Sequence, residues 1–489
     1  MTLSKLNYIN VGKHGTFEGS STSPADIDAI FSDLDTQTPP RLVLYFHGGL
    51  VAEEDGMQSA ENIHQALGTK QVHVVTFVWE TGFWEILTRN LNDIEETGLF
   101  KEIRKFIIRK VGEQLGFTIP GGRGFGDITD ADVTTELAQP EPLLQYSNTA
   151  HVSADPLTPD DLHTMETAIE TQLEREINED SAIMHLLEQE APATPAFNNE
   201  KYAIPPTGAG PNGEAASATT GRGLLTPRII KGLAVVAIKV IRRMVKKTDH
   251  GPYPTIIEEI FREFYVGSLG KFIWDNIKEI PESQTWAGNE GLSGNDRRVG
   301  TYFLERLNEF QHNHPDLTVD MIGHSAGSIM VCHLLKNATE RAFNHVRVRN
   351  IFFLAPACTS DLFYDEIMTK PARFGAFRMY TMADEFEQAD FVVKIIYPRS
   401  LLYLVAGLFE AEVDTPILGM QRYLLDQKPF SGNTRLEEIR RYLAVDDRVC
   451  FSTSKDDALD GFHTLSQRHG DFDNDLPTLK SLAFLIARQ

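Results

Sequence analysis

Asp320-Met321-Ile322-Gly323-His324-Ser325-Ala326-Gly327-Ser328-Ile329 is the stretch that decides how this chain folds. Leu317 to Ile322 reads as a buried strand that ends abruptly. Ser328-Ile329-Met330-Val331-Cys332-His333-Leu334-Leu335 reads as the helix that follows. Between them stands Gly323-His324-Ser325-Ala326-Gly327, the spacing G-x-S-x-G of a nucleophile elbow. Small residues on both sides of Ser325 let strand and helix approach closely. The turn pushes the hydroxyl above the sheet. The helix start aims free N–H groups and a positive dipole end at any negative charge forming there. Without chemistry, the same residues would make a glycine-rich turn and nothing more.

Outward from the elbow, strands alternate with helices. Arg41 to Phe46 is an apolar strand running into His47-Gly48-Gly49-Leu50. A helix at about 55–68 and a strand from Gln71 to Trp79 complete a βαβ unit. Upstream, residues 5–20 suggest a short hairpin, and a helix starts at Ser23-Pro24. Downstream, strands are expected at Val346 to Leu354, Phe377 to Met382 and Arg448 to Thr453. Helices are expected at 398–409 and 476–487, with Asp296 to Phe310 an amphipathic helix before the elbow. This alternation predicts an α/β fold with a mostly parallel sheet flanked by helices, and a ligand site at the carboxyl ends of the strands.

The pattern divides the chain into three parts: a first core part at 1–83, a largely helical insertion at 84–293, and a second core part at 294–489. The insertion is uneven in charge. Asp127 to Glu200 holds 17 Asp/Glu and a single Arg, whereas Arg228 to Lys247 holds seven Lys/Arg and no acid. Ile230, Leu233, Ala237, Val240, Ile241 and Met244 give that basic stretch an apolar helical face. Two readings follow. Residues 228–247 lie on an anionic membrane or grip an acidic partner, or the face packs on the sheet domain and its cations meet the acidic segment.

Whole-chain properties exclude several classes. A formal charge of −23 over 489 residues argues against nucleic acid as a partner. Cys332, Cys358 and Cys450 are widely spaced, which suits free thiols in a reducing, cytoplasmic setting rather than a disulfide framework. The start of the chain lacks the apolar run of a secretory signal, and no stretch is long enough to span a bilayer. Asp471-x-Asp473-x-Asp475 begins like a calcium loop but has Leu476 where glycine is required. No metal or organic cofactor is implied.

A serine hydroxyl needs a base to take its proton, and the base needs a group to orient it. With the elbow at Ser325, both should follow on later loops at carboxyl strand ends. Asp384, two residues after the strand ending at Met382, is the expected acid; Glu385, Asp390 and Asp361 are its rivals. His469 is the expected base, with His463 as the alternative. The backbone of Ala326 and of the Gly48-Gly49 loop should supply the oxyanion donors, with His47 orienting that loop.

On His47-Gly48-Gly49, Gly323 to Gly327, Asp384 and His469, in that order, the chain resembles the α/β-hydrolase-fold serine hydrolases of the esterase/lipase sort. The resemblance covers about 35–90 and 294–489, and the long insertion before the elbow departs from it. It implies cleavage of a carboxylic ester by a Ser-His-Asp triad. A lipid-like acyl group is suggested only by the apolar insertion. The competing readings are a binding or signalling scaffold working through the insertion arms, and an amidase or acyltransferase using the same residues.

Overall fold

A computed structural model describes residues 3–48, 53–68, 71–79, 84–115, 117–118, 145–146, 170–189, 218–265, 270–394 and 396–488. Seven strands form the central sheet: β1 (Tyr8–Val11), β2 (Arg41–Phe46), β3 (His73–Trp79), β4 (Thr318–His324), β5 (Val348–Leu354), β6 (Phe374–Met382) and β7 (Val449–Ser452). Their spatial order is β1-β3-β2-β4-β5-β6-β7, and every pairing is parallel. The strands are apolar on both faces because helices cover both. β2 pairs with β4 in a register that sets Phe46 opposite Gly323. From β2 the chain runs outward to β3 on one side, and from β4 it runs outward to β5 on the other. The carboxyl ends of β2 and β4 therefore flank the switch point where such sheets form their crevice.

The helices are α1 (Pro24–Leu34), α2 (Glu53–Leu67), α3 (Trp84–Glu96), α4 (Gly98–Leu115), α5 (Ser181–Gln189), α6 (Ala218–Lys246), α7 (Pro252–Ile260), α8 (Gly270–Glu279), α9 (Val299–Asn313), α10 (Gly327–Glu340), α11 (Thr434–Ala444) and α12 (Leu476–Ala487). Ser23 caps α1 in a reciprocal box with Asp26, satisfying free N–H groups at its start. α9 buries Val299, Phe303, Leu304 and Leu307. Trp286 wedges in beside it, fully buried against Phe46 and Phe77.

The hairpin expected over 5–20 is not formed. β1 joins the sheet edge in parallel with β3, and Thr16 bridges to Arg298 instead of returning along β1. The helix expected at 398–409 is a single turn, Leu401–Leu404, continued by a wider turn over Val405–Phe409.

The basic stretch lies on α6, where Ile229, Ile230, Leu233, Ala234, Val236, Ala237, Val240, Ile241 and Met244 are buried. Its neighbours are α4 and α7, so this face packs on other insertion helices rather than on the sheet. Lys231 reaches Glu170 at 3.7 Å, and Lys239 reaches Glu263 at 2.9 Å. Arg243 is buried between Glu258 (2.7 Å) and Glu259 (3.0 Å). His250 contacts Glu258 at 2.7 Å and Asp414 at 2.9 Å, and Arg262 donates to the backbone of Gly407 and Glu410. Buried charges are tolerable only when paired in this way, and here the pairing joins the insertion to residues 397–424.

Candidate active site

The elbow is strained where the sequence predicts. Ser325 has φ 51°, in the left-handed region, an uncommon place for a serine and one costing about 1–3 kcal/mol. Four hydrogen bonds hold it there. Its N–H donates to the Leu354 carbonyl at 2.9 Å. Its carbonyl accepts from the Ala357 N–H (3.1 Å), the Ser328 N–H (3.0 Å) and the Ser328 hydroxyl (2.6 Å). The flanking glycines are required by space. A Cβ at Gly327 would overlap the Phe46 carbonyl, and one at Gly323 would press on the Gly327 carbonyl at 2.8 Å.

His469 comes from the loop between β7 and α12 and is buried. Its Nε2 lies 2.8 Å from Ser325 Oγ, bringing together two residues 144 apart in the chain. Burial, and then the nearby His324, depress the imidazole to about 3. It is therefore neutral at pH 7, the form that can accept a proton. For Nε2 to accept the hydroxyl proton, the neutral ring must carry its own hydrogen on Nδ1. Nδ1 is buried and has no hydrogen-bond partner among the described residues. The backbone fixes the residue instead. The His469 N–H donates to Asp390 Oδ2 at 3.0 Å, and its carbonyl faces His324 Nε2 at 3.1 Å.

The expected acid is not brought to the base. Asp384 begins the short helix after β6, and its carboxylate accepts from the Tyr403 hydroxyl (2.8 Å) and Gln388 (2.6 Å). It stabilises the 397–409 segment. Asp390, at the other end of that helix, is the carboxylate that reaches His469, by way of its backbone. Burial pushes the Asp390 carboxyl up, and the His469 N–H works against that. Asp361 pairs with Arg435 at 3.1 Å, and the alternative base His463 is bonded through its backbone to Ser481.

Gly48 lies beside Ser325; a Cβ there would sit 3.5 Å from the Ser325 Cβ. Gly49 falls outside the described residues. Ala326 is buried at the head of α10, with its N–H at the end carrying the positive dipole. His47 is held in one tautomer. Its Nε2 accepts from the Trp79 N–H at 3.2 Å, so its Nδ1–H donates to the Gly48 carbonyl at 2.6 Å. The ring stacks on Trp79 with centroids 4.1 Å apart, and burial lowers it to about 4. His47 is thus the neutral brace of the Gly48 loop, as its sequence position suggests.

Two further groups escaped the sequence reading. His324, the variable residue of the elbow motif, is buried with Nδ1 3.4 Å from Asp473 Oδ2. Asp473 also accepts from the Tyr45 hydroxyl at 3.0 Å and from Ser59. Asp475, two residues on, caps α12 through the Thr478 N–H. Among the described residues, no group of three His, Cys, Asp or Glu could hold a metal ion.

A strained serine between β4 and α10, a histidine from the loop after the last strand, and an all-parallel sheet form one arrangement. The chain has the α/β-hydrolase fold. Residues 300–386, which run from α9 through the elbow to the turn after β6, match the model of a family described as an alpha/beta hydrolase of unknown function (DUF900). No curated protein and no solved structure matches the chain. No helix among the described residues is long and apolar enough to cross a membrane.

Proposed function

We propose that this α/β hydrolase is a serine hydrolase that cleaves a carboxylic ester through an acyl-enzyme. The contact of 2.8 Å between Ser325 Oγ and a neutral, buried His469 Nε2 carries the reading. His469 takes the hydroxyl proton as Oγ bonds to the ester carbonyl carbon. The carbonyl π electrons move onto oxygen, where the Ala326 N–H and the Gly48 loop stabilise the charge. Collapse expels the alkoxide, which takes the proton from His469. Water, activated by the same imidazole, then releases the acid and regenerates Ser325.

In this reading Asp390 serves as a positioning residue through the His469 backbone, in the place the sequence gives to Asp384. An Nδ1 without a partner among the described residues favours ester over amide. Removing the carboxylate behind a catalytic histidine costs about 10⁴ in rate in a serine protease, so a dyad suits the better leaving group. A lipid-like acyl group would show as rising kcat/KM along a p-nitrophenyl ester series from acetate to laurate. Three buried free thiols fit a cytoplasmic setting. For the basic stretch, burial of its apolar face leaves the exposed cations Arg228, Lys231, Lys246 and Lys247 for an anionic surface.

The test is turnover of p-nitrophenyl acetate and labelling by a fluorophosphonate. Wild type should do both and Ser325→Ala neither. A folded wild type inert to both reagents, or a labelled Ser325→Ala, overturns the proposal.

A further inference from the structure

Both ring nitrogens of His324 face acceptors. Nε2 meets the His469 carbonyl at 3.1 Å, and Nδ1 meets the Asp473 carboxylate at 3.4 Å. A neutral imidazole has one N–H and can serve only one of them; an imidazolium donates to the carbonyl and sets its second N–H beside the carboxylate as an ion pair. The surroundings supply the counter-charge. Asp473 is held ionised, its carboxyl lowered to about 2 by His324, Ser59 and Tyr45 acting against burial. Burial lowers the His324 imidazole, but Asp473 and the His469 carbonyl outweigh it, and the net shift is upward. The other groups near His324 are His469 from its own loop, Asp471 on that loop and His47 from the end of β2. Both histidines are held neutral, and Asp471 adds to the negative side.

Resting on the serine-hydrolase reading, we propose that the His324–Asp473 ion pair is a positioning device for the base. It ties the His469 loop to the elbow through the His469 carbonyl and keeps a fixed positive charge beside the His469 ring. The geometry gives it two effects. The elbow strand grips the base loop one residue before the nucleophile, so Ser325 and His469 move as one unit. The imidazolium, its ring centroid 5.8 Å from that of His469, holds the base neutral far into the acid range. Unit charges that far apart shift one another by about two pH units at an effective dielectric of ~20. Asp473 opposes that effect on His469, so the pair together shifts the base less than His324 alone.

His324→Gln tests this. A glutamine amide can still donate to the His469 carbonyl but carries no charge. The readout is histidine ¹³Cε1 resonances in selectively labelled protein, which needs no turnover. In wild type, His324 should titrate above the ordinary histidine value while His469 stays neutral down to about pH 4. In His324→Gln, the His469 titration should rise by about 1–2 pH units, and in His324→Gln/Asp473→Asn it should return toward wild type. Labelling by fluorophosphonate at pH 4, relative to pH 7, should fall about 2- to 10-fold in His324→Gln and hardly at all in wild type. A His324 already neutral at pH 6, or a His469 titration unmoved in His324→Gln, overturns the proposal. A merely structural role predicts loss of the fold or of rate at every pH, without the reversal in the double variant. Should His324→Gln fail to fold, Asp473→Asn decides alone, because His324 must then lose its proton below its wild-type value. A wild type inert to the fluorophosphonate would end the hydrolase reading, while the resonances would still judge the ion pair.

Discussion

Substitution of Asp390 separates the two carboxylates on the loop after β6. Asp390→Ala removes the acceptor 3.0 Å from the His469 N–H and leaves that buried donor unsatisfied. An orphaned buried donor costs about 1–3 kcal/mol. The His469 loop can escape part of this cost only by moving, which breaks the 2.8 Å contact with Ser325 Oγ. If the whole cost appears in the transition state, kcat/KM falls by about 5- to 150-fold at 1.36 kcal/mol per decade. Asp384→Asn should behave differently. Its Oδ1 still accepts from Tyr403, nothing at His469 changes, and the loss should stay under about threefold. The assay is kcat/KM for p-nitrophenyl acetate beside the rate of fluorophosphonate labelling, with urea midpoints showing that both variants are folded. A folded Asp384→Asn as inactive as Ser325→Ala, with Asp390→Ala near wild type, would refute this reasoning. It would return the acid to the place the sequence gives it.

Three other outcomes follow from the packing and charges. Gly327→Ala forces a methyl into the Phe46 carbonyl, and strand and helix must part; the urea midpoint should drop by the equivalent of about 1–3 kcal/mol, with loss of labelling. Trp286→Ala empties a fully buried site against Phe46, Phe77 and Gly300, at a cost of about 3–5 kcal/mol in chemical unfolding. His47 is lowered from 6.5 to about 4, so between those values the unfolded chain binds more protons than the native one. Stability from this group is complete above pH 6.5 and is lost as pH falls through 4, by about 3 kcal/mol at most. Urea midpoints from pH 7 to pH 4.5 should fall, and His47→Gln should flatten that slope.

Much of this was legible in the sequence because local spacing carries it. G-x-S-x-G has few ways to fit between a strand and a helix, so Ser325, Gly323 and Gly327 could be assigned before any coordinates. The position of Gly48 beside Ser325 was legible from the apolar strand that ends just before it. The acid was not. Asp384 and Asp390 stand at the two ends of one short helix, and only the course of residues 397–409 shows that Tyr403 occupies Asp384. Strand alternation cannot reveal a partner that arrives from elsewhere. The hairpin failed for a similar reason, since β1 finds its neighbour in β3, more than sixty residues away. α11 went unread although Leu436, Ile439 and Leu443 keep helical spacing, because charged residues crowd its exposed side. His324 and Asp473 each had a plainer explanation on paper, one as the free position of a motif and the other as part of a failed calcium loop.

The 144 residues separating Ser325 from His469 also fix a sequence of events on the ribosome. At about 5–20 residues per second, the histidine is made roughly 7–29 s after the serine. Throughout that interval the hydroxyl lacks the imidazole that the proposed mechanism gives it as proton acceptor. On the proposed mechanism the nascent chain cannot attack esters in its surroundings while it is still open, and reactivity would switch on only when His469 docks beside Ser325.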